Sequence, residues 1–351
     1  MGMSPNARLN LLWTKRIENN FNVLLVGKVF KSNQMSLVAG CDDGVIRVFE
    51  VPSNDSKLPL KCISTLETKG GPIQVLALHN VMKFASIDVI TGDSKGMLTV
   101  FSNGQILSRQ PISNHSLNCL QILQDATGAI AIVCSDNSGS LFAASPYNAF
   151  EWKIRLGDVI PSREIPTTIK SVLSVSLPNV AGHNSSYILA SDDQHHLYII
   201  HQGSIVLILD TPSNITAMCA GRFLHNVGLE TPGGPVSTNS PGPQVALGSE
   251  SGGIYLFSNF ELYQEEYANT GMSITQMCVL ASQEAHEVDT IICAGHANAV
   301  VVFNNAKEIA RYATSDWVNS ISTTNTDRDR EKTIIVGCLD NSIQALKLTY
   351  F

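Results

Sequence analysis

Seven times along the chain one short phrase returns: an apolar run, a small residue, an acidic turn, a residue suited to positive φ, then alternating apolar residues. It reads LVAGCDDGVIRVF (37–49), VITGDSKGMLTVF (89–101), IVCSDNSGSLFAA (132–144) and ILASDDQHHLYII (188–200). It continues as VALGSESGGIYLF (245–257), ICAGHANAVVVF (292–303) and IIVGCLDNSIQAL (334–346). The small residue is Gly40, Gly92, Ser135, Ser191, Gly248, Gly295 and Gly337; the closest pair is 42 residues apart and the widest 57. A unit of this size cannot bury its apolar faces alone, so the copies must stack on one another. Four-stranded propeller blades with variable loops fit that period.

The apolar run reads as a fully buried strand, and the alternating run as a strand with one face against the next blade. Gly44, Gly96, Gly139, His195, Gly252 and Asn341 stand four residues after the small position. A tight turn needs φ > 0 there, which Gly takes freely and Asn or His tolerates. The sixth copy is one residue shorter around Asn298, which predicts a tighter turn. A further strand precedes each copy, starting at Phe21, Ile73, Leu117, Ile169, Ile215, Ile274 and Val318, and is assigned to the channel. An outer strand follows each copy, as at 104–108 and 307–311, except after the seventh. Leu11–Ile17 has outer-strand character with no inner strand before it, so it is expected to complete the last blade. The expected architecture is therefore all-β: one seven-bladed β-propeller over residues 1–351, closed by the N-terminal strand so that no sheet edge is left at the seam.

Composition narrows the function. A net charge of -7 and the lack of any Lys/Arg block argue against nucleic acid, whose phosphates call for a basic stripe. No apolar run reaches the roughly 18 residues of a membrane span. The N-terminus lacks a signal-peptide apolar core, and Asn6 stands where myristoylation wants Ser or Thr. None of the eight cysteines forms a C-x-x-C pair, and most sit in apolar strand patterns, which reads as buried free thiols in a reducing compartment. These features together predict a cytoplasmic protein, in which the sequons at Asn54, Asn114, Asn184 and Asn214 carry no glycan.

The repeat resembles the WD-repeat-like and FG-GAP-type propellers. Segments such as Trp317-Val318-Asn319-Ser320-Ile321 followed by Ile334-Ile335-Val336-Gly337 are similar in style to the propellers of Bardet-Biedl syndrome proteins and integrin-alpha FG-GAP repeat-containing proteins. The resemblance covers nearly the whole chain. It implies a subunit of a multi-protein assembly, of the ciliary-trafficking or nutrient-signalling kind, and a cilium-associated location. The Gly-His and Trp-Asp of a standard WD repeat are absent in register, and Asp316-Trp317 runs in reverse order. FG-GAP blades often carry a D-x-D-x-D-G calcium loop. Its nearest counterpart here is Asn325, Asp327 and Asp329, with two arginines inside the loop and no turn glycine. A solvated charged loop is the preferred reading.

Turns between the second and third strands carry Asp42, Asp43, Asp93, Asp136, Asp192, Asp193, Glu250 and Asp340. As a group they form a candidate acidic rim for a basic peptide or protein surface. Singly, such residues satisfy turn N–H groups, and this local role is weighted more heavily. His195, His196 and His201 cluster in the fourth copy, but alternation puts the first two on opposite sides, which favours turn and strand-surface roles over a metal. The Pro- and Gly-rich stretch 225–243 reads as a flexible loop on the face opposite the rim, with Thr231-Pro232 and Ser240-Pro241 as phosphorylation candidates. No phosphate loop, zinc spacing or nucleophile elbow is present. Residues Asn22, Gln74, Asn118, Lys170, Thr216, Thr275 and Asn319 would give the channel a polar, largely uncharged lining. The leading expectation is a non-enzymatic protein-interaction scaffold with no cofactor, docked to other protein subunits. The alternative is a lactonase- or quinoprotein-like propeller enzyme with a metal or cofactor in the channel.

Overall fold

The computed structural model describes residues 7–351 apart from 53–57, 126, 148–149, 160–166, 179–182, 225–242, 283, 285–286 and 326–331. Seven antiparallel four-stranded sheets are arranged as blades, and a 3-10 turn at Leu156–Asp158 is the helical element among the described residues. The inner strands are Phe21–Lys28, Ile73–His79, Leu117–Gln124, Ile169–Pro178, Ile215–Gly221, Ile274–Leu280 and Val318–Asn325. Each touches the inner strand of the next blade, and the seventh touches the first, so the ring is closed. Apolar clusters lie between neighbouring blades, because each sheet offers both faces to its neighbours.

The seam follows the sequence expectation. Blade 7 is built from Val318–Asn325, Lys332–Cys338 and Ser342–Tyr350, with Ala7–Arg16 paired antiparallel along the last of these. A bulge between Leu11 and Trp13 reverses which face the strand presents. Leu9 therefore packs with Leu280, Ile292 and Leu346 toward blade 6, whereas Trp13 packs with Phe21, Leu24 and Leu37 of blade 1. Polar groups cross the same seam. Leu24 N donates to Ser320 Oγ at 3.0 Å, and Ser320 Oγ donates to Leu24 O at 2.7 Å.

The turn geometry explains the repeated phrase. Gly44, Gly96, Gly139 and Gly252 adopt φ of 76°, 78°, 80° and 94°, and His195 and Asn341 take 64° and 63° at the matching positions. The sixth blade turns more tightly, with Gly295 paired to Ala297 and only His296 between them. The small residue is small for a reason of packing. A Cβ on Gly40 would lie 2.6 Å from Ile73 Cγ2, and one on Gly337 would lie 2.7 Å from the Phe21 ring. In both cases the obstacle is the first residue of the next inner strand.

The polar second residue of each inner strand requires a correction. In all seven blades this residue is the bulged one, skipped in the pairing with the second strand. A bulge turns its side chain sideways. Asn22 Nδ2 donates to Ile73 O at 2.9 Å, Asn118 Nδ2 to Ile169 O at 2.7 Å and Asn319 Nδ2 to Phe21 O at 2.9 Å. Thr216 Oγ1 donates likewise to Ile274 O, and at blade 4 Ser191 Oγ reaches Ile215 O at 2.8 Å. Asn22, Asn118, Thr216 and Asn319 thus join blade to blade instead of furnishing the channel.

Candidate interaction face

Strand alternation places the second-to-third turns on one face of the ring, together with the linkers from each outer strand to the next inner strand. In six blades the turn is tied to the linker by one backbone bond. Asp42 N donates to Asn20 O, Ser94 N to Pro72 O, Asn137 N to Ser116 O, and Asp193 N to Thr168 O. Glu250 N donates to Asn214 O, and in blade 7 Leu339 N donates to Trp317 O at 2.9 Å. Main-chain geometry at this position places no demand on the side chains, and blades 1 to 5 carry polar residues or Pro72 there. Blade 7 alone among these six carries Trp and Leu, exposed at 46% and 54%. The Trp317 ring stacks on His296 of blade 6, centroids 5.1 Å apart, which fixes its orientation. A stacked, half-exposed indole beside an exposed leucine has the chemistry of a binding anchor.

The eight acids of the sequence reading divide into two groups. Asp93, Asp136 and Asp192 follow the small residue directly and are almost fully buried. Each accepts the N–H groups two and four residues on: Lys95 and Met97, Ser138 and Ser140, Gln194 and His196. Their second oxygens are also engaged, by Gly71 N, Ser113 Oγ and Tyr198 Oη respectively. These three hold turns and offer little surface to a partner.

The other acids reach solvent to differing degrees. In blades 1 and 7 a cysteine, Cys41 or Cys338, occupies the position of the buried aspartates, and the turn acid moves two residues on, to Asp43 and Asp340. Asp43 is paired with Arg47 at 2.6 Å, and that hydrogen bond holds its carboxyl below the usual carboxylate range. Asp42 accepts from Asn22 Nδ2 at 2.7 Å, and Asp340 accepts from Ser342 N at 3.0 Å. The donor to Asp42 is neutral, whereas Asp340 also has Arg16 beside it, whose Nε donates to Asp340 O at 2.9 Å. Glu18 and Asp316 stand in the adjoining linkers, so this sector of the face carries four acids, Glu18, Asp42, Asp316 and Asp340, against Arg16. Asp193 and Glu250 lie farther round the ring and bind Thr168 N and Asn214 Nδ2. Glu18, Asp316, Trp317 and Leu339 were not in the sequence-derived set; comparing the seven turns position by position would have exposed Leu339 as the apolar exception.

The remaining candidates can be placed briefly. His196 Nδ1 lies 3.2 Å from Asp192 Oδ2, and His201 Nδ1 lies 3.0 Å from Ser186 O, so both serve local structure. Asn325 ends the inner strand of blade 7, whereas Asp327 and Asp329 fall outside the described residues, as do Thr231 and Ser240. A cleft of about 730 Å³ between blades 2 and 3 on the same face is lined by Lys153, Arg155, Asp136 and Asp158 among others, a set of balanced charge. No helix of the described residues is long and apolar enough to cross a membrane.

No protein-family model matches the chain, and no curated protein sequence is similar to it. Among the solved structures that share its fold, two do so across almost their whole length. One is described as BBS1N in complex with ARL6DN, soaked with lead: the TM-score is 0.72 at 11% identity, covering 97% of both chains. The second is the same pair soaked with mercury, with TM-score 0.69, 11% identity and 97% coverage of both chains. The chain is thus a seven-bladed β-propeller of the shape seen in BBS1N, in keeping with the resemblance to Bardet-Biedl syndrome propellers read from its repeats.

Proposed function

We propose that this propeller is a non-enzymatic docking module in a multi-protein assembly, and that it grips a partner protein with the Trp317–Leu339 face. The observation that carries the reading is the apolar pair in blade 7, at a turn-to-linker junction where the other blades so joined hold polar side chains or Pro72. The part of the Trp317 ring that faces solvent costs solubility, so its use lies in contact with another surface. Glu18, Asp42, Asp316 and Asp340 in the same sector select a partner with basic residues around an apolar anchor. The consumption of Asp93, Asp136 and Asp192 in turns, and of the inner-strand amides in blade junctions, supports a scaffold over a channel enzyme. The likeness to BBS1N, whose structure contains ARL6DN as a second protein, supports an assembly of the ciliary-trafficking kind.

The test is recovery of partners from cells by the full chain and by Trp317→Ala, quantified by mass spectrometry at low and high salt. A genuine partner is retained by the wild type, falls at least about tenfold with Trp317→Ala, and weakens as salt screens the acidic sector. Partners held equally by both proteins would remove the proposal.

A further inference from the structure

The opposite face carries a second surface, independent of the first. Here the loops linking inner to second strands in blades 1 and 2 are fused by an isolated antiparallel bridge. Phe30 N donates to Ile87 O at 2.7 Å and Ile87 N donates to Phe30 O at 3.1 Å. Around this bridge three residues other than glycine take left-handed backbone: Phe30 at φ 54°, Lys83 at 57° and Ala85 at 52°. Side chains rarely adopt that region, and such outliers persist only where the surroundings impose them. The surroundings do so. Met82 N donates to the buried Asp88 Oδ2 at 2.9 Å, Tyr147 Oη to Met82 O at 3.4 Å, and Lys83 Nζ to Gly128 O at 3.0 Å.

This strained platform does not bury its aromatic residue. Phe84, between the two left-handed residues, is 54% exposed, and Tyr147 across the loop is 68% exposed. Lys31 and Lys83 flank them, exposed and without a carboxylate partner among the described residues. The local acids are otherwise occupied or peripheral: Asp88 is sealed beneath the loop, and Asp125 accepts the N–H groups of Thr127 and Ala129. Strain spent on holding a phenylalanine in solvent, beside a tyrosine and two lysines, has no purpose in the isolated fold.

We infer that the Phe84–Tyr147 platform, flanked by Lys31 and Lys83, docks an acidic protein segment that inserts one apolar side chain against Phe84. The charge is opposite to that of the Trp317 face, so the two faces of the disc accept partners of opposite sign. A lipid surface is the poorer fit, because recognition of anionic lipid draws on about four to eight basic residues and the platform has two.

The test uses the full chain and two labelled peptides, each with a single tryptophan, flanked by glutamates in one and by lysines in the other. Fluorescence anisotropy is expected to show the glutamate peptide binding in a Phe84-dependent manner, whereas any binding of the lysine peptide depends on Trp317 and not on Phe84. Phe84→Ala weakens the glutamate peptide about tenfold or more, Lys31→Glu with Lys83→Glu abolishes the platform's preference for it, and Trp317→Ala on the far face leaves its binding unchanged. Ala85→Gly relieves the backbone, so it raises the melting temperature while weakening the peptide. The melting curve of Phe84→Ala, which removes an exposed side chain, matches the wild type and certifies the fold. Phe84-dependent binding of the lysine peptide, no binding of the glutamate peptide, or its full affinity in Phe84→Ala overturns the inference. So does sedimentation with phosphatidylserine vesicles that depends on Phe84.

Discussion

Truncation of Trp13 tests ring closure at its most specific point. In an unbulged strand Leu9, Leu11 and Trp13 would share one face; with the bulge, Leu9 and Trp13 enter different cores and Leu11 is left 47% exposed. Trp13 itself is 7% exposed. An aromatic side chain buries about 200 Å², and at about 25 cal/mol per Å² its removal forfeits about 5 kcal/mol. That is an upper figure, because the unfolded chain already hides part of the area. Core Trp→Ala changes of about 3–5 kcal/mol agree with it. Against a domain stability of about 5–15 kcal/mol, such a loss brings the protein near its unfolding threshold. Leu9→Ala should cost about 2–5 kcal/mol, and Leu11→Ala less than about 0.5 kcal/mol. Urea denaturation followed by far-UV circular dichroism measures all three without relying on indole fluorescence. If Trp13→Ala and Leu11→Ala lose the same amount, the strand does not insert across the seam as described.

Further outcomes can be checked with the same apparatus. Asn319→Ala removes the donor to Phe21 O and leaves that carbonyl bare, so the urea midpoint should fall by the equivalent of about 1–3 kcal/mol; no change would mean that water replaces the amide. Gly92→Val must push a methyl-bearing carbon against Val75 and Leu117, 2.7 and 2.8 Å from the ideal Cβ, and should destabilise by about 1–3 kcal/mol through overpacking. Arg47 makes folded Asp43 a stronger acid than the unfolded group. Its stabilisation is therefore present above the unfolded pKa and is lost as pH falls through the folded one, so Asp43→Asn is less stable than wild type at neutral pH and converges with it in acid. A gap independent of pH would exclude that ion pair as the cause. Burial pushes the thiols of Cys119 and Cys278 up to about 11 and about 12 and raises those of Cys134, Cys219 and Cys293 as well, whereas Cys62 is exposed. A thiol-specific chromophoric disulfide should therefore react rapidly with Cys62 alone in native protein and with all eight cysteines after denaturation.

The architecture was legible because its determinants are local. A left-handed turn four residues beyond a small residue leaves a mark on the sequence, and Gly44, Gly96, His195 and Asn341 all carry it. The seam was legible by subtraction, since one copy lacked an outer strand and one strand lacked a copy. The inner-strand amides were assigned to the wrong surroundings because alternation alone cannot reveal a bulge, and one extra residue swings Asn118 from the channel toward Ile169 O. The acidic rim was half legible. The repeat shows that Asp136 and Asp42 stand at corresponding turns of different blades, but not that one lies beneath four donors while the other meets water. The stacking of Trp317 on His296 joins residues of different blades and has no local signature. The Phe84 platform was missed for a similar reason: its strain arises from two loops about fifty residues apart in a repeat of that period, and neither loop announces it alone.

Four of the bulged side chains, Asn22, Asn118, Thr216 and Asn319, address a main-chain oxygen of the neighbouring blade. Every amino acid supplies that oxygen, so a substitution at the receiving position leaves the latch intact. Adjacent repeats are thereby freed from having to change in concert. Seven blades can drift apart until only the small residue and the turn still betray their kinship, and the ring continues to close.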